Sequence, residues 1–304
     1  MKPAANRARR QVIGLTLAAA AAVLLVHLFP GISGLVPSDF VAGGPNALEF
    51  CDPTNPRFLP VVARTSPVSL TLTTPRPARA GTESPVELTL RTATGKPIGR
   101  SELAATAGEK IHLWLVDPTL RDFQRAVPQP GLAPGRWTFA FTPELAGVYR
   151  IFADFTPAAT AQEIYASVDL PVSSAAAAPP GPRTPPGLSA DRGRYRFALI
   201  PSATPVYARQ PLMLHFTAER TGGGMVPLVA THGAFIHLIA FDGRRTGFAN
   251  LADEARSGGM PPDPFHPGAS FRVTFSDPGQ YVLWSWFLLG GRETAVPFGL
   301  QVLP

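Results

Sequence analysis

Five short blocks recur in the same order in two halves of the 304-residue chain, and that duplication limits what the chain can fold into. PVSLTLTT (67–74) answers RYRFALIP (194–201), and PVELTLRT (85–92) answers PLMLHFTA (211–218). IHLWLVD (111–117) answers IHLIAFD (236–242), and RWTFAFTPELAGVYRIF (136–152) answers SFRVTFSDPGQYVLWSW (270–286). EIYASVDLPV (163–172) answers TAVPFGLQVL (294–303). Whatever fold forms must therefore form twice, in tandem. The blocks LTL, VELTL and FRVTF alternate apolar with polar residues, the period of a half-buried strand. Between them, ATGKP (93–97) and RTGGGM (220–225) carry turn chemistry. Proline, at 35 residues, interrupts long helices and suits short strands. About seven short strands per repeat predict an all-β protein: two antiparallel β-sandwiches over 67–172 and 194–304, joined by a Pro/Ala-rich spacer over 173–193.

AGVY (146–149) and PGQY (278–281) sharpen this class. Each reads small-Gly-x-Tyr before an apolar strand, the place at which immunoglobulin-like domains carry a tyrosine that hydrogen-bonds back to the preceding corner. Tyr149 and Tyr281 are expected in that structural role. Ile151 and Leu283 stand where antibody domains carry a cysteine, so two tandem immunoglobulin-like sandwiches without the disulfide are expected. Trp114 is expected in the core, as strand C tryptophans of such sandwiches often are.

The N-terminus reads as a targeting element. Lys2, Arg7, Arg9 and Arg10 form a basic tail (1–10), and an uncharged run follows over 11–29. That run is just long enough to cross a bilayer and longer than a cleavable signal core, which predicts a transmembrane signal anchor. The basic flank stays in the cytoplasm and the bulk of the chain lies outside it. Those four residues supply most of the net charge of +6, so the basic balance is no sign of nucleic-acid binding. The connector over 30–66 holds Phe40, Phe50 and Phe58, more apolar material than a free linker needs, and is expected against a folded surface or a partner. Cys51, the single cysteine, excludes an intrachain disulfide; it reads as a small buried hydrophobe, with intermolecular pairing, metal binding or redox chemistry as the alternatives, and it belongs to the same candidate interaction segment.

The repeated IHL places a histidine in each of two apolar strands. No HExxH, Gly-x-Ser-x-Gly, P-loop or CxxC is present, so no catalytic residue and no cofactor is assigned. The alternative is copper or another metal, with Met225, His232, His237, Met260 and His266 as candidate ligands. On a regular strand, however, His232 and His237 point to opposite faces. His112 shares its face with Trp114, so it is expected to follow that ring inward as a structural histidine satisfied by a carbonyl or a carboxylate. His237 is expected to be structural likewise. LWSWFLLGG (283–291) is bulky on both faces, which makes Trp286 either core or interface.

The order His-Leu, Asp, aromatic, then Pro-Gly-x-Tyr resembles bacterial secreted proteins with tandem immunoglobulin-like domains of the YtkA-like kind. The resemblance spans most of 67–304. In that group a His-x-His-Pro commonly follows the Asp-Phe. Here DFQRAVP (122–128) has Arg125 and Val127 in those places, and GFANLAD (247–253) has Asn250 and Ala252. The loss of that motif points to a binding or structural role, and with the anchor, the apolar connector and the lack of site chemistry a non-catalytic protein of the bacterial inner membrane is expected. Its bulk would lie in the periplasm, as a scaffold or accessory subunit docked on a protein partner or membrane complex.

Overall fold

The computed structural model describes residues 66–105, 108–174, 186–232, 234–251 and 262–304. The expected anchor, the connector with Phe40, Phe50, Cys51 and Phe58, and Met260 lie outside these residues. Among the described residues the chain is built from strands, with one 3₁₀ turn at Arg100–Glu102. No helix among them is long and apolar enough to cross a membrane.

Alternation builds the first sandwich directly. Strands β1 (Val68–Thr73), β3 (Ser84–Thr92), β7 (Arg136–Phe141) and β6 (Gln129–Pro130) form one sheet in the order β1-β3-β7-β6. The opposing sheet runs β2-β9-β8-β4-β5, from β2 (Ala78–Arg79), β9 (Ile164–Ser173), β8 (Gly147–Phe155), β4 (His112–Val116) and β5 (Phe123–Ala126). Pairing is antiparallel throughout except between β2 and β9. Leu88, Leu90, Trp137 and Phe139 from one sheet meet Leu113, Leu115, Ile151 and Leu170 from the other in a single core.

The second sandwich repeats this topology except at its sheet edges. One sheet is β10 (Ser189–Arg192), β11 (Tyr195–Pro201), β13 (Pro211–Arg220) and β17 (Gly268–Thr274). The other runs β12 (Val206–Tyr207), β19 (Arg292–Leu303), β18 (Gly279–Leu289), β15 (His237–Asp242) and β16 (Phe248–Leu251), with β14 (Leu228–Val229) beside β18. Again one short strand, β12, pairs in parallel, with β19. The expected spacer is shorter than its composition indicated, because Ser189–Arg192 is a strand paired with β11. SADRGRY closes that hairpin through Gly193 at φ +59°.

The repeated motifs hold equivalent corners. The aspartate of each IHL…D caps the turn after its strand. Asp117 accepts from the backbone N–H of Thr119, Arg121 and Asp122, and Asp242 accepts from those of Thr246 and Gly247. The glycine of each Gly-x-Tyr sits at positive φ (Gly147 +139°, Gly279 +150°), where an L side chain is strained. Tyr281 donates to the Asp277 carbonyl four residues upstream (2.8 Å). Tyr149 accepts from Leu145 N–H at the equivalent corner and donates to the buried Asp122 carboxylate.

The five-stranded sheet of the first sandwich is apolar on both faces, and so is its counterpart in the second. Along β18, Leu283 and Phe287 enter the sandwich core, while Val282, Trp284 and Trp286 point out. Along β4, Leu113 and Leu115 point in, while Trp114 and Val116 point out. The outward sets meet each other. Trp114, Phe123 and Phe152 of the first sandwich pack with Phe241, Phe248, Trp284 and Trp286 of the second in a third buried layer. Phe123 lies between Trp114 (6.0 Å between centroids) and Trp284 (5.2 Å), stacked on both. Each such side chain contributes about 1.5–3 kcal/mol by leaving water, so the layer joins the two sandwiches firmly. Trp114 and His112 are therefore not in the sandwich core as expected; their face is covered by the other copy.

Candidate functional site

At one end of this aromatic layer the outward faces turn polar. β4 and β8 pair so that His112 stands opposite Asp154. His112 Nδ1 lies 2.7 Å from Asp154 Oδ1, and Trp114 Nε1 donates to Oδ2 at 2.8 Å. A carboxylate only accepts, so Nδ1 carries a proton. Asp154 is 1% exposed and this pair of donors satisfies it. On the other side of the ring, His112 Nε2 is 3.0 Å from Glu109 Oε2, off the line a hydrogen bond needs.

Glu109 precedes β4 and reaches across to the second sandwich. Its Oε2 accepts from Arg125 Nη2, and its Oε1 lies 2.8 Å from His232 Nε2. Arg125 comes from β5, on the same face as Phe123, and its guanidinium sits 4.7 Å over the Trp286 ring. The same Arg125 Nη2 is 3.1 Å from His232 Nε2. His232 is set by the turn before β15, at φ +53°, with Nδ1 2.7 Å from the Thr231 hydroxyl. His237, opposite Trp286 in the β15–β18 register, donates through Nε2 to the Thr231 carbonyl at 2.9 Å.

Charge and burial compete here. Burial pulls the His112 imidazole down, but the hydrogen bond and charge of Asp154 and the charge of Glu109 outweigh it, and its pKa ends above the ordinary histidine value. Burial likewise pushes Glu109 up, and the Arg125 and His232 contacts overcome it, leaving the carboxyl below its usual range. At the corners, burial and then Asp122 raise Tyr149, while burial, then the charges of Asp242 and Asp277, push Tyr281 up to about 12.

The structure gathers some of the residues expected from sequence and scatters others. His112, His232 and His237 come together, with the His232 ring 6.1 Å from each of the other two. The expectation that His232 and His237 face apart fails because His232 precedes the strand, in a turn. His266 is exposed, 3.7 Å from Asp263, and Met225 is exposed as well. Trp286 is 3% exposed and spent within the chain, so it is not free for a partner. No group of three His, Cys, Asp or Glu side chains among the described residues has the geometry to hold a metal ion. Arg125 puts a fixed cation amid the histidines, which opposes a metal there. Two surface clefts, of about 310 Å³ beside Asp242 and Asp277 and about 780 Å³ beside Arg100 and Lys110, have none of these histidines in their walls. Sequence reasoning missed Glu109 and Asp154 and read Arg125 only as a loss. A signal existed: Asp154 is the one charge in IFADF, an otherwise apolar run.

Comparison with known proteins adds a partial match. Residues 190–303, the second sandwich, match a family described as a domain of unknown function (DUF8832). No curated protein matches the chain. Among solved structures it is similar to the native conformation of Escherichia coli alpha-2-macroglobulin, at 16% identity and TM-score 0.25 over 79% of this chain and 14% of that one. It is similar to a DUF4785 family protein of Legionella pneumophila, at 10% identity and TM-score 0.26 over 79% and 57%. It is also similar to fibronectin(III)-like modules of Clostridium thermocellum CbhA, at 11% identity and TM-score 0.20 over 77% and 94%. All three TM-scores lie below the level at which a shared fold follows.

Proposed function

We propose that the chain is a non-catalytic scaffold or accessory subunit, held in the bacterial inner membrane by residues 11–29 and docked on a membrane or periplasmic complex through two immunoglobulin-like sandwiches. The observation that carries this reading is the buried aromatic layer between the sandwiches. It makes one stiff presenting body of two domains. The equivalent corners at Tyr149 and Tyr281 support the immunoglobulin-like assignment and kinship with YtkA-like domains. Docking material is available at one end of the second sandwich. Met225, Val229 and Phe265 are exposed there, on neighbouring segments tied by the Val226 N–H to Pro264 carbonyl bond.

Affinity capture of the tagged full chain from detergent-solubilised membranes tests the proposal. A partner should co-purify in fixed proportion, and the double variant Met225→Asp, Phe265→Asp should reduce its recovery at least fivefold. Recovery of the wild type as a lone monomer under mild conditions overturns the docking role.

A further inference from the structure

His232 Nε2 has two neighbours that make opposite demands. Glu109 Oε1, at 2.8 Å, is a carboxylate oxygen and requires a proton on Nε2. Arg125 Nη2, at 3.1 Å, is an obligate donor and requires a lone pair on Nε2. One nitrogen cannot meet both. The Thr231 hydroxyl on Nδ1 either donates or accepts, so it permits either form. The two neighbours belong to the first sandwich and His232 to the second, so the proton on Nε2 decides which bond crosses the joint. We propose that His232 is a proton-operated link between the sandwiches: protonation binds it to Glu109 and tightens the joint, and deprotonation hands it to Arg125 and loosens it.

The surroundings favour that direction. Facing His232 are Glu109 ahead of β4, His112 on β4, Arg125 on β5 and His237 on β15. Asp154 on β8, behind His112, and Glu293 on β19, 3.9 Å from Arg125, are further charged groups here among the described residues. Tyr165 on β9 lies opposite Asp154 in the register and is neutral. Among the described residues, with both His112 and His232 neutral, Glu109, Asp154 and Glu293 stand against the one guanidinium of Arg125, and protons on the two imidazoles offset that excess. Deprotonation leaves Glu109 Oε1 without its imidazole donor, while Arg125 is divided between Glu109 and an uncharged ring. His237 is the positioning residue: its Nε2–H fixes the Thr231 carbonyl and so the turn that carries His232. The link does not depend on the docking role proposed above.

The test is denaturant unfolding of the purified full chain at pH 5.5 and 8.0, with the imidazole nitrogens of ¹⁵N-histidine-labelled protein read by NMR at each pH. His112 titrates in every variant that keeps it, so the His232 part is the difference between wild type and His232→Gln, whose amide donates to Glu109 at both pH values. The wild type should lose at least fivefold more of its folding equilibrium constant than His232→Gln between pH 5.5 and 8.0. Its His232 Nε2 resonance should pass from protonated to unprotonated nitrogen over that range. In a Glu109→Gln background, His232→Gln should make no further difference to the pH dependence. Equal pH dependence in wild type and His232→Gln, or an Nε2 that keeps its proton at pH 8.0, overturns the link.

Discussion

His112 and His237 occupy the same place in the two copies, yet their cross-strand partners are opposites. His112 faces the Asp154 carboxylate, and His237 faces the Trp286 ring at 4.9 Å. Duplication put both histidines on the face each copy turns toward the other. Divergence of one position on the neighbouring strand then gave them different tasks. Beside Asp154, His112 becomes part of a charged cluster. Beside Trp286, His237 anchors the Thr231 carbonyl, while Trp286 lies under Arg125 of the first copy. An inherited symmetry has become an asymmetric joint, with most of its charge on one side and a positioned imidazole on the other.

The largest effect should come from the layer both histidines depend on. Phe152 and Trp284 are equivalent residues on β8 and β18, one from each copy, and both lie in the shared layer. Phe152→Ala should cost about 3–5 kcal/mol, and Trp284→Ala a comparable amount. Because each opens the joint rather than one core, denaturant unfolding should split into two transitions, one per sandwich. A single cooperative transition in both variants would mean that the sandwiches are not coupled through this face.

Next in size is the charged half of the comparison. Asp154→Asn removes the carboxylate charge and leaves one acceptor oxygen for two donors, His112 Nδ1–H and Trp114 Nε1–H, and should cost about 1.5–3 kcal/mol. It also changes the pH profile. The folded pKa of His112 is raised, so its contribution is fully present below the unfolded value near 6.5 and is lost as pH rises through the folded value. In Asp154→Asn that loss at alkaline pH should shrink, and NMR should find the His112 titration moved toward lower pH. Arg125→Lys comes third, at about 1 kcal/mol. Lysine keeps the charge but loses the planar fork that bonds Glu109 while stacking on Trp286, and a drop in melting temperature measures it.

Much of the fold was legible because strand periodicity is local. The alternation in VELTL and FRVTF, the repeated IHL…D and the small-Gly-x-Tyr corners each arise from contacts within a few residues or one register step. The sandwich-to-sandwich layer was not legible, because an outward Trp114 and an inward Trp114 obey the same alternation. Only the partner surface tells them apart, and it lies more than a hundred residues away. The same holds for the cluster. Arg125 departs from the expected histidine motif, and from sequence that departure reads as something removed. In the folded chain it brings a guanidinium to Glu109, His232 and Trp286, three residues no spacing rule connects to it.

The smallest effect tests whether the two inner faces also diverged. Ala153 and Ser285 are equivalent, facing Leu113 and Leu238 across the register, and both are 0% exposed. The Ser285 hydroxyl has no hydrogen-bond partner among the described residues. A buried hydroxyl left unpaired costs more than the hydrogen it could share, and replacing it with a methyl of similar volume removes that cost. Ser285→Ala should therefore raise the stability of the second sandwich by up to about 1 kcal/mol, read as a higher denaturation midpoint with an unchanged slope. The reciprocal Ala153→Ser should lower that of the first. A loss on Ser285→Ala would mean that the hydroxyl is satisfied in the folded chain, and that the second copy has built a polar contact inside its core where the first kept a methyl.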